Sequence, residues 1–146
     1  MRTLMVLALA TLLPGAGWAQ DKQVIQLPGA SLGLPFSTAV RVGNMIYLSG
    51  QIGTPPGGRQ VVPGGVGPET RQTLENIKRV LEQAGSSMDR VVKCTVFLQD
   101  IADYAAMNQV YATFFPKDPP ARSTVAGSGL ALGARVEIEC MAVAGT

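Results

Sequence analysis

Near its C-terminus the chain reads RVEIECMAV from Arg135 to Val143, and Val136, Glu137, Ile138, Glu139 and Cys140 alternate apolar and acidic with the period of two of a half-buried strand. One face of that strand must be covered by another layer, and Glu137 and Glu139 share the other face. Two carboxylates side by side repel unless a cation, a hydrogen-bond donor or water compensates them. One reading is a solvated strand face with Arg135 as counter-ion and Arg122 as a loop charge. The other is a functional site that draws on Arg122, the charged residue that precedes Arg135.

The remaining elements follow from punctuation and periodicity. Val24 to Phe36 is broken by Pro and Gly and is expected to be an irregular arm. Thr38–Val42 and Met45–Ser49 flank Gly43-Asn44 and read as a β-hairpin. Ser49-Gly50-Gln51 follows as a turn, and residues 54–67 form a Gly- and Pro-rich loop without a phosphate-cradling motif. Pro68 opens a helix with a Leu74, Ile77, Leu81, Ala84 stripe, and Gly85 stops it. A strand Val91–Leu98 leads to Asp100 or Asp103 as the cap of a second helix, whose stripe Tyr104, Met107, Tyr111, Phe114 is expected in the core and which Pro116 ends. A short strand near Thr124 and the strand Ala134–Val143 complete a two-layer α+β domain, a sheet with two helices on one face. Its other face has nothing in the chain to cover it, and self-association is the expected answer.

Residues 1–19 carry one basic residue, Arg2, an apolar run from Thr3 to Leu13 and small residues before Ala19, the pattern of a signal peptide. The apolar run is well short of the roughly 20 residues needed to cross a bilayer. The expectations are cleavage after Ala19, a single domain over residues 20–146, a periplasmic or secreted location and no membrane partner after cleavage. A formal charge of +2 with 15% charged residues gives no footprint for a polyanion, so nucleic acid is not expected as a partner. With no histidine and two separated cysteines, no metal is expected. Cys94 and Cys140 each alternate with apolar neighbours, Cys94 with Val92 and Val96, and are expected as buried free thiols, a disulfide being the alternative.

Pro120-Ala121-Arg122-Ser123, the Gly- and Leu-rich spacer after it and Val136-Glu137-Ile138-Glu139 resemble the C-terminal signature of the reactive-intermediate deaminase family (Rid, YjgF-like), and the resemblance extends over most of the chain. It implies a chorismate-mutase-like fold, a homotrimer with ligand clefts between subunits, adjacency of the two cysteine strands, and hydrolysis of enamines or imines derived from amino acids to 2-keto acids and ammonia, for which no cofactor is required. Arg122 falls on the arginine that holds the substrate carboxylate, and Glu137 on the glutamate that places the attacking water. Glu139 is left to structure or the interface. Ser49, Gly50, Asn108, Phe36 and Thr124 fall on further cleft positions, with Phe36 where the family has tyrosine and Thr124 where it often has cysteine. Loss of that hydroxyl leaves a second reading open, a secreted protein that binds small carboxylates without turnover.

Overall fold

The computed structural model describes residues 21–28 and 33–145, so the expected signal peptide lies outside the described residues. Seven strands form one mixed sheet: β1 (Lys22–Ile25), β2 (Ala39–Val42), β3 (Met45–Leu48), β4 (Gln51–Ile52), β5 (Val91–Leu98), β6 (Ala121–Ala126) and β7 (Val136–Val143). Their order is β1-β2-β3-β7-β5-β6, with β4 pairing β7 beyond the end of β3. All pairings are antiparallel except β5 with β6, the parallel pair that the α2 crossover (Tyr104–Phe114) connects.

The expected hairpin forms with Gly43 at φ 59°, a left-handed turn conformation that glycine adopts without strain. α1 spans Val66–Gln83, so it begins two residues before Pro68 and leaves that proline in the first turn, where no N–H is needed. Leu74, Ile77 and Leu81 are fully buried, and Gly85, at φ 71°, follows the cap residue Ala84. Together with Met107 and Tyr111 of α2 they pack on the inward residues Ile46, Leu98, Val136 and Ile138, so both helices lie over one sheet face. The buried Asn76 fixes the α1 approach by donating to the carbonyls of Ile52 (3.0 Å) and Thr54 (2.8 Å) at the end of β4.

Three sequence expectations, and the alternative reading of Arg135, are corrected. The arm starts as a strand, because Lys22–Ile25 pairs with β2 along the sheet edge. Val92 is exposed because the β5–β7 register shifts between Val91 and Lys93, a bulge that turns one residue out of phase. Cys94 and Cys140 sit directly opposite each other on β5 and β7 with Cα atoms 4.1 Å apart, and they form a disulfide rather than free thiols. Adjacent strands and a shared register bring the two Cβ vectors together. Arg135 is no counter-ion for Glu137 and Glu139: its guanidinium holds Asp103 through two bonds of 2.8 and 2.7 Å, and its backbone N–H donates to the buried Glu69 carboxylate at 2.7 Å. That network ties α1, the turn before α2 and the start of β7 together.

Candidate active site

Arg122 and Glu137 lie on opposite faces of the sheet. Arg122 is level with Cys94 on β5, and Cys94 with Cys140 on β7, so Arg122 shares the helix-side face with the disulfide. Glu137 is level with Phe97 and alternates with the buried Val136 and Ile138, so it projects from the face the helices leave bare. The expected constellation is therefore divided within one chain into two clusters.

The first cluster is an open groove of about 500 Å³ between α2 and the edge strand β6, and it contains Arg122, Asn108 and Thr124. α2 supplies Tyr104, Asn108 and Tyr111, one helix face at spacings of four and three residues, and Phe115, which caps the helix, completes that wall. The Arg122 guanidinium lies 4.7 Å from the Tyr111 ring centre and 5.6 Å from that of Tyr104, and it donates to the Tyr104 hydroxyl at 3.2 Å. Hydrogen bonds from Asn108 and then Arg122 hold the Tyr104 phenol below its ordinary pKa. Among the described residues no carboxylate stands within salt-bridge distance of Arg122. Its charge is held by aromatic faces and a neutral hydroxyl, and its remaining donors are available to an anion.

The second cluster is built around Glu137. Burial, and then the neighbouring Glu139, push its carboxyl above the ordinary range. Gly50 lies so close that a Cβ there would overlap the Glu137 carboxylate, so the glycine expected as a turn residue makes room for that acid. Ser49 donates its hydroxyl to the Ser37 carbonyl at 2.7 Å and its N–H to the Thr38 carbonyl at 3.0 Å, which fixes the Gly50 backbone. Phe36, half exposed, directly precedes Ser37 in the chain and is not part of the groove.

Sequence reasoning missed Tyr104 and Tyr111 as site residues by placing both in the core. Tyr111 is buried, but Tyr104 is 41% exposed, at the groove wall. The available signal was Asn108: residues four before it, and three and seven after it, are Tyr104, Tyr111 and Phe115, so an expected site residue on a helix marks its own helical neighbours.

The described residues thus form a two-layer α+β domain that carries Arg122 in an aromatic groove and Glu137 on the bare sheet face. The chain belongs to the Rid/YjgF/L-PSP family: the family model described as Endoribonuclease L-PSP matches residues 30–144. Curated relatives include the 2-iminobutanoate/2-iminopropanoate deaminases of Capra hircus, 48% identical over 76% of this chain and 81% of the relative, and of Mus musculus, 45% identical over 76% and 82%. The solved structure of a Rid-family protein from Yersinia pestis is 40% identical with a TM-score of 0.78, covering 84% of this chain and 99% of that one. E. coli TdcF, solved with bound serine, is 36% identical with a TM-score of 0.76 over 84% and 99%. The mixed sheet with two helices is thus the fold of these neighbours. The expectation of a periplasmic or secreted protein is corrected by the same comparisons, because the Schizosaccharomyces pombe relatives mmf2 (45% identical over 77% of this chain and 90% of the relative) and mmf1 (42% over 84% and 76%) are mitochondrial proteins.

Proposed function

We propose that the protein is a metal-independent imine deaminase that hydrolyses 2-imino acids, and the enamines in equilibrium with them, to 2-keto acids and ammonia. The observation that carries this reading is the Arg122 guanidinium, set in an aromatic groove without an anionic partner among the described residues. A planar fork of donors suits a carboxylate, which it grips through two charge-assisted bonds of roughly 1.5 to 3 kcal/mol each. The activity named in the goat and mouse relatives, and the amino acid bound to TdcF, support a ligand of this class.

The chemistry needs little beyond placement. A protonated imine is already electrophilic, so a positioned water and a proton acceptor suffice. Water adds to the carbon of the protonated imine while Glu137 takes its proton; Glu137 returns that proton to the carbinolamine nitrogen and then accepts the hydroxyl proton as the C=O bond forms, the C–N bond breaks and ammonia leaves. Arg122 fixes the plane of the substrate throughout. Asn108 and Thr124 line the carboxylate side, while Ser49, Gly50 and Phe36 frame the Glu137 side. Since one chain holds Arg122 and Glu137 on opposite sheet faces, the complete site joins the groove of one subunit to the bare face of the next, in a homotrimer. Neither nucleic acid nor membrane is a partner in this reading.

Capture of small carboxylates without turnover is the second reading, favoured by the same separation: a lone chain holds the clamp apart from the acid. The deciding experiment measures ammonia and 2-keto acid release from imines generated in place by an amino-acid oxidase. Release above the uncatalysed rate, abolished in Arg122→Ala, supports the deaminase. Pyruvate binding without accelerated release identifies the capture protein.

A further inference from the structure

Two polar atoms in the Arg122 groove are buried without a hydrogen-bond partner among the described residues, the Tyr111 hydroxyl and Thr124 Oγ1. Leaving such a group unpaired costs about 1 to 3 kcal/mol, so folded chains rarely retain one without a use. Here there are two, on different elements, lining one groove. Tyr111 is 94% buried (6% exposed) and its ring lies under the Arg122 guanidinium, so the orphan hydroxyl belongs to the side chain on which the clamp rests. Burial pushes the phenol up to about 12, against a smaller opposing effect of Arg122, so it remains a neutral donor throughout the working pH range.

We propose that Tyr111 contacts the ligand directly: its hydroxyl, with Thr124 Oγ1, hydrogen-bonds the molecule whose carboxylate Arg122 holds. This rests on the carboxylate reading of the groove given above and adds a residue to it. Ligand binding then supplies partners to groups desolvated in advance. A site with orphaned polar groups discriminates against ligands that cannot pair them, and the ligand class is a small carboxylate with further hydrogen-bonding capacity, such as a 2-imino or 2-keto acid.

Tyr111→Phe deletes only the hydroxyl and leaves the ring under Arg122. Pyruvate titration followed by calorimetry should show Kd raised about fivefold to twentyfold in Tyr111→Phe, and Thr124→Val should show a loss of similar size. The melting temperature of Tyr111→Phe without ligand should equal or exceed that of the parent, since the hydroxyl has no partner to lose. A Kd within twofold of the parent, or a clear fall in melting temperature, would overturn the proposal, the latter by revealing a partner in the free protein. Imine hydrolysis by the parent protein separates this from the deaminase reading. An active parent with unchanged Kd and KM in Tyr111→Phe sinks the proposal alone. A parent that binds pyruvate through Tyr111 but releases no ammonia sinks the deaminase reading alone. Failure of the parent to bind pyruvate overturns both.

Discussion

Arg122 and Glu137 should fail in different ways when replaced. Arg122→Ala removes the proposed carboxylate clamp and should lower kcat/KM more than a hundredfold, about 3 kcal/mol of transition-state stabilisation, in steady-state imine hydrolysis. Glu137→Gln retains shape and should lower kcat while pyruvate still binds. Because burial and Glu139 raise the Glu137 pKa, kcat should fall on acidification through a midpoint above the usual glutamate range, and that limb should vanish in Glu137→Gln. The sign for stability is opposite. A carboxyl with a raised folded-state pKa contributes stability that is full below its unfolded pKa and is lost as pH rises through the folded value, so Glu137→Gln should not lower the neutral-pH melting temperature. A lower one would mean that the carboxylate has a stabilising partner. Both stand out as candidates in the sequence, through the Glu-x-Glu alternation and the PARS tetrapeptide. Their placement on opposite faces was not, since alternation sets the face of a residue within its own strand and says nothing of the register between β6 and β5.

Among the elements, two contacts that no periodicity encodes fix neighbouring elements in place, one between sheet and helix and one within the sheet. Gly53 follows β4, and a Cβ there would come within 2.9 Å of the Glu69 Cα and carbonyl oxygen on α1, backbone atoms that cannot swing aside. Gly53→Ala should therefore separate β4 from α1 and cost about 1 to 3 kcal/mol in urea unfolding; an unchanged midpoint would show that the helix can give way freely. The disulfide closes a loop of sequence separation 46, so Cys94→Ala/Cys140→Ala should lose on the order of 4 kcal/mol by the loop-entropy relation, and a loss under about 1 kcal/mol would mean that the bridge does not form. The α1 stripe and the β2–β3 hairpin were readable because their periods and turn residues are local. β1, the bulge at Val92 and the cysteine pairing were not, because each depends on a partner strand distant in sequence. Tyr104 was misplaced for a related reason: an aromatic at core spacing becomes a groove wall where the sheet ends at β6.

At the scale of the whole molecule, Val24, Tyr47, Met141 and Val125 are each 39–54% exposed and share the sheet face opposite the helices. Scattered apolar residues are ordinary on a surface, but four on one bare face that also carries Glu137 form a patch suited to burial between subunits. Light scattering should give about three times the chain mass, and Met141→Arg should lower both that mass and the rate of imine hydrolysis. A monodisperse, fully active monomer would end the trimer reading. The division of Arg122 and Glu137 between two faces then has a consequence for heredity as much as for chemistry. Two alleles, each inactive alone, should complement. If inactive Arg122→Ala and Glu137→Gln chains are unfolded together and reassembled in equal amounts, about a quarter of the clefts in a closed ring will draw an intact arginine from one chain and an intact glutamate from its neighbour. Activity should reappear in the mixture to about that extent, whereas a site contained within a single chain would stay silent at every mixing ratio.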